Sequence, residues 1–126
     1  MIAELLIGTA MIATTVVMHS LALDFIIRHV RRFESLFQPV KHSTWKPLFL
    51  AAIVLAVFAA HVVEIWVWAG LYFFINALPT FELALYFSTT AFTTVGFGDT
   101  MPVNEWRLLG AIEGANGFML FGWSTA

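Results

Sequence analysis

The sequence predicts an all-α membrane protein of three transmembrane helices with one re-entrant segment, and three observations carry that prediction. The 126 residues are 60% hydrophobic and only 11% charged, with a mean hydropathy of +0.87. Their apolar residues come in blocks long enough to cross a hydrocarbon core, which takes about 20 residues of helix. Between two of those blocks stands TTAFTTVGFGD, residues 89–99, whose end is too rich in glycine and polar groups to continue either helix. A chain of this length has room for about three spans and no separate soluble domain. It contains no cysteine, which removes disulfides, thiolate metal sites and cysteine nucleophiles. The net charge of −2 gives no reason to expect a nucleic-acid partner.

The first element is MIAELLIGTAMIATTVVMHSLALDFII, residues 1–27. It lacks the basic n-region and small-residue cleavage site of a signal peptide, so it reads as a retained span. Residues 28–46 follow as a basic loop carrying Arg28, Arg31, Arg32, Lys41 and Lys46, with Arg107 the one basic residue elsewhere. The positive-inside rule places that loop in the cytoplasm and the N-terminus outside, in the cell membrane. Asp24 stands one turn before Arg28 and reads as half of an interfacial ion pair. Gln38-Pro39 ends any helix that runs on from the first span.

The second block opens at Pro47, a favourable first helical position, and runs to Ile75. Trp66, Trp68 and Tyr72 are expected in an outer interfacial belt. Asn76 to Pro79 breaks this helix, and Thr80 is a candidate N-cap for a short one over residues 80–92. That run is too short to cross a bilayer and has the length of a re-entrant segment. The third span covers residues 105–126, just after Pro102.

Residues 94–99 remain between the short helix and the third span. Non-helical backbone at membrane depth is tolerated only where protein buries it or where it lines a watery cavity, so this segment implies a pore. Gly96 and Gly98 can adopt backbone conformations that side chains oppose, which allows successive carbonyls to turn toward one axis. The Thr94 hydroxyl would extend the row. Oxygens stacked along an axis can replace the hydration shell of a cation.

Thr94-Val95-Gly96-Phe97-Gly98-Asp99, preceded by Thr93 and a short helix and followed by Pro102 and a span, resembles the selectivity filter of the tetrameric potassium-channel family. The resemblance covers residues 47–126 as outer helix (47–75), pore helix (80–92), filter (94–99) and inner helix (105–126), and leaves the first span outside the family's minimal two-span pore. It implies a homotetramer in the lipid bilayer that passes potassium ions passively, with no enzymatic activity, no catalytic residues and no cofactor beyond the permeant ion. The carbonyls of Thr94, Val95, Gly96 and Phe97, with the Thr94 hydroxyl, would be the potassium ligands. Gly98 would complete the filter, and Asp99 would brace the outer mouth. Thr93, Tyr86 and Thr90 would support the filter from the pore helix. Phe97 stands where the family more often has Tyr, and Tyr86 and Phe87 stand where many members carry Trp, so the filter is expected to be held more by packing than by hydrogen bonds. Thr90 stands where some members keep a Glu, so Asp99 is expected to lack a carboxylate partner.

Ionisable groups inside spans are functional suspects. His61 and Glu64 share a helix face, as a hydrogen-bonded pair or two metal ligands would, and no third ligand sits at a matching spacing in that helix. The preferred reading is a structural pair that docks this helix on the first span through His19. In the third span, Gly110 and Gly114 form a small-xxx-small pair, and Gly117 falls where the resembled family tends to place a hinge glycine. Glu113, Asn116, Gly117 and Leu120 share one face, with Asn116 the better candidate for lining a cavity and Glu113 for a buried strut. Trp123 fits an interfacial anchor. The rival functions are a weakly selective cation channel, a regulatory subunit that does not conduct alone, and a membrane metal transporter or metalloenzyme using His19, His61, Glu64 and Glu113. The first span carries no regular cationic series, so voltage sensing of the usual kind is not expected.

Overall fold

The computed structural model describes residues 1–37 and 45–126, and the regular elements among the described residues are all helical. They are α1 (Ile2–Phe37), α2 (Trp45–Phe74), α3 (Phe81–Phe92), a 3-10 turn (Asn104–Trp106) and α4 (Arg107–Thr125). Ile2–Phe33 and Trp45–Phe74 are each long and apolar enough to cross a membrane.

α1 continues ten residues past the expected end of the first span, so Arg28, Arg31 and Arg32 lie on a helix rather than in a loop. The cause is local. Arg28 Nε donates to Asp24 Oδ2 at 2.8 Å across one exposed turn, and the first residue able to break the helix is Pro39. The Gln38-Pro39 break and Lys41 lie outside the described residues. α2 begins two residues before Pro47, which therefore sits in the first turn, where its missing N–H leaves nothing unpaired.

Asn76 ends α2 in the left-handed conformation, φ +54°. Asn76 N–H donates to Phe73 O at 3.1 Å and Ala77 N–H to Tyr72 O at 2.9 Å, the paired bonds of a Schellman cap. Four residues later Thr80 Oγ1 accepts from Leu83 N at 3.2 Å and starts α3, with Glu82 in the first turn favoured by the helix dipole. The N-terminus of α4 is capped from a distance. Glu4 on α1 is buried, and its Oε1 accepts from Leu108 N at 3.0 Å.

That contact sets the direction of the bundle. Glu4 meets Leu108, Thr15 meets Asn116 and His19 meets Ser124, so α1 and α4 run parallel. α2 runs back against α4, with Tyr72 meeting Glu113 and His61 meeting Ser124. α3 is wedged between α2 and α4 over a core of Trp68, Tyr72, Phe87, Phe92, Leu109 and Leu120. The expected aromatic belt is therefore corrected. Trp68 and Tyr72 are fully buried, and Trp66 alone of the three is exposed, because Trp68 and Tyr72 are one turn apart on the face that meets α3. The Tyr72 ring packs edge-on against Phe87.

Candidate functional site

The backbone after α3 departs from every regular conformation in an ordered way. Thr94 N–H closes the helix end on Ala91 O at 2.9 Å. From there φ is +62° at Thr94, +54° at Gly96 and +76° at Gly98, while Val95 and Phe97 stay at negative φ. In extended backbone successive carbonyls point to opposite sides. A left-handed residue at every second position breaks that alternation and allows consecutive carbonyls to turn to the same side. Glycine takes that conformation freely, but at the β-branched Thr94 it costs about 1–2 kcal/mol, and such strain persists only where the surroundings enforce it.

Two bonds from α3 do the enforcing. Gly96 N–H donates to Thr90 O at 3.0 Å, and the Tyr86 hydroxyl donates to Asp99 Oδ2 at 2.9 Å. The expectation of a segment held more by packing than by hydrogen bonds is thereby revised, since a phenol on α3 takes the role of partner to Asp99. The Thr90 hydroxyl turns back to Phe87 O at 2.9 Å and that of Thr93 to Thr89 O at 2.7 Å, so Thr90 acts on the segment through its backbone carbonyl and the Thr93 hydroxyl stays within α3. A cleft of about 310 Å³ lies behind it, lined by Thr90, Thr94, Gly96, Arg107 and Gly110 among others.

α4 carries this assembly on a strip of glycines. A Cβ at Gly117 would lie 2.0 Å from Phe92 O, one at Gly110 2.7 Å from Phe87 Cζ, and one at Gly114 3.3 Å from Ala91 O. Gly117, expected as a hinge, is the point where α4 touches the end of α3. Between the glycines Glu113 is fully buried. Its Oε2 accepts from the Tyr72 hydroxyl at 2.8 Å, and its Oε1 bonds Ser88 Oγ, which also reaches Ile65 O at 2.9 Å. One carboxylate thus joins α2, α3 and α4. Asn116 does not line a cavity within the chain. It is buried, and its Nδ2 donates to Thr15 Oγ1 on α1 at 2.7 Å.

A family model described as "Ion channel" matches residues 53–126, which include most of α2 and all of α3, the glycine segment and α4. The chain belongs to the ion channel family. No curated protein and no solved structure matches it. As a member of that family it is an integral membrane protein and a channel rather than an enzyme. α1 lies outside the matched residues.

In this channel chain, α1 and α2 bring a second polar cluster to α4. His19 Nδ1 lies 2.8 Å from Glu64 Oε1 and His61 Nδ1 lies 2.9 Å from Glu64 Oε2, with all three residues buried. Both Nε2 atoms lie 3.0 Å from Ser124 Oγ. Phe92, Phe121 and Trp123 ring the two imidazoles. The four residues named for a metal transporter therefore separate, with His19, His61 and Glu64 together and Glu113 bonded to Tyr72 and Ser88. Sequence reasoning missed Ser124, Thr15, Glu4, Tyr72 and Ser88 as partners. A signal existed for α1, where Glu4, Thr15 and His19 are 11 and 4 residues apart, close to whole turns of one stripe.

Proposed function

We propose that four copies of this chain form a potassium-selective channel, with the carbonyls of Thr94, Val95, Gly96 and Phe97 and the Thr94 hydroxyl as the ion ligands and Gly98 completing the row. The observation that carries this reading is the left-handed φ at Thr94, Gly96 and Gly98, a pattern without use in a simple interhelical turn and suited to presenting a file of oxygens to a dehydrated cation. Residues 94–99 are also exposed in a single chain. Their backbone polar groups cannot face lipid, and a ring of four copies would enclose them around water and ions. In this arrangement α1, α2 and α4 are the three spans and α3 is the re-entrant helix. Arg28, Arg31 and Arg32 lie at the end of α1 remote from Glu4 and the start of α4, so the positive-inside rule puts the N-terminus and the Asp99 end of the filter outside the cell membrane.

The test is planar-bilayer recording of the purified chain under potassium and sodium gradients. Wild type should show a reversal potential close to that of potassium. Thr94→Ala removes four hydroxyl oxygens per tetramer and should weaken potassium binding and barium block while conduction survives. Gly96→Ala adds a Cβ at φ +54°, a strain of about 1 kcal/mol or more in each subunit, and should lower selectivity further. Wild-type selectivity and block in Gly96→Ala would overturn the assignment of the filter.

A further inference from the structure

We propose that His19, His61 and Glu64 form a binding site for a borderline divalent metal ion, zinc being the best match, held between α1 and α2 and braced by Ser124 of α4. One donor atom from each of the three residues lies within 4.8 Å of the others. Ligands around tetrahedral zinc, with bonds of about 2.0–2.1 Å, sit about 3.4 Å apart, so small side-chain rotations close the site. Two imidazoles and one carboxylate are a known zinc donor set that leaves a fourth position for water.

The hydrogen-bond accounting points the same way. Ser124 Oγ–H donates to Leu120 O at 2.8 Å, which leaves its two lone pairs for the two Nε2 atoms at 3.0 Å. With both Nε2 atoms protonated, each neutral ring presents an Nδ1 lone pair. Those lone pairs face a carboxylate, which has only lone pairs to offer, at 2.8 and 2.9 Å. With the Ser124 hydroxyl committed to Leu120 O, these contacts are repulsive unless something positive lies between them. A divalent cation supplies it in one step, with no imidazolium in an apolar setting. Ser124 then acts as the partner that fixes ring orientation and tautomer, the role outer groups usually play around metal-bound histidine. Ring packing of His61 on Phe121 and Phe92, with centroids 4.5 and 6.1 Å apart, and of His19 on Trp123 at 5.4 Å shields the site and places it directly beneath the end of α3. Such an ion would clamp α1, the helix outside the family match, to the pore unit.

The experiment uses the full chain, purified in detergent without a histidine tag, in a His29→Ala, His42→Ala background so that the other imidazoles report nothing. It is stripped with chelator and titrated with cobalt(II) and then zinc(II), following cobalt absorption and metal content. One cobalt per chain with the intense bands of tetrahedral coordination, displaced by zinc, is the expected result. Ser124→Ala keeps all three ligands and should bind about 10- to 100-fold more weakly. The Glu64→Gln, His61→Gln double variant should lose the tetrahedral spectrum. Absence of that spectrum in the folded background protein would overturn the site in favour of protons held between the rings and the Glu64 carboxyl. Unchanged affinity in Ser124→Ala, or an unchanged spectrum in the double variant, would overturn it as well. None of these readouts depends on conduction, so a failure of the potassium reading leaves them standing.

Discussion

Tyr86 and Tyr72 show how one residue type does different work at two depths. The Tyr86 hydroxyl bonds Asp99 at the exposed end of the glycine segment, where water competes, so its loss should cost little global stability. Its effect should fall on the segment itself, whose other ties to α3 are backbone bonds near its start, from Thr94 N–H to Ala91 O and from Gly96 N–H to Thr90 O. Tyr86→Phe is expected to give a folded channel whose open bursts shorten, as seen in single-channel recording. Tyr72 is fully buried and donates to Glu113. Tyr72→Phe leaves a carboxylate oxygen without its donor and should destabilise the chain by about 1–3 kcal/mol, read as a lower midpoint of thermal unfolding in detergent. The first partnership was half legible in the sequence, because Asp99 and Tyr86 were both placed at the filter by the resemblance. The second was not, because pairing residues 41 apart needs the packing of α2 on α4, which periodicity does not give.

At the scale of elements, local chemistry decided what could be read. The bounds of α3 were legible because Thr80 caps it and the glycine segment ends it. The break after α2 was legible from Asn76, whose left-handed φ few residues but Asn and Gly accept. The first span was bounded at residue 27 by hydropathy, but α1 runs on to Phe37, because Arg and Glu are good helix formers and nothing before Gln38-Pro39 stops it. The side of α4 that faces α1 was also hidden, since Asn116 and Glu113 share a polar face by spacing and only the contact with Thr15 separates their roles. Glycines on these helices divide by what surrounds them. Gly117→Ala would drive a Cβ to 2.0 Å from Phe92 O, a backbone atom, whereas Gly70→Ala meets nothing within 4 Å. The first should destabilise by at least about 1–3 kcal/mol through overpacking and disturb conduction through α3. The second should be neutral or stabilise by about 0.5–1 kcal/mol through helix propensity. Equal thermal midpoints for the two variants would contradict the close approach of α4 to α3.

For the whole molecule, the arrangement of charge follows from the bundle's direction. Residues 76–105 contain Glu82, Asp99 and Glu105 and no Lys or Arg, and all three acids are exposed. They lie on the same end as Glu4 and the start of α4, while Arg28, Arg31 and Arg32 lie toward the other. Arg107 follows two residues later and lines the cleft beside the glycine segment, but the acids outnumber it. In the proposed tetramer this end would carry four copies of each acid around one entrance, and a ring of like charge over a low-dielectric body raises the local concentration of cations. The effect is screened over about 30 Å at 0.01 M salt and about 3 Å at 1 M. Neutralising Glu82 and Glu105 together with Gln, while leaving Asp99 to its bond with Tyr86, should therefore lower single-channel conductance strongly at low potassium concentration and hardly at all at high. Reversal potential should not move, because the filter oxygens are untouched. A conductance loss of equal proportion at both concentrations would place these carboxylates outside the ion entrance, and a shift in selectivity would mean that they act on the filter itself.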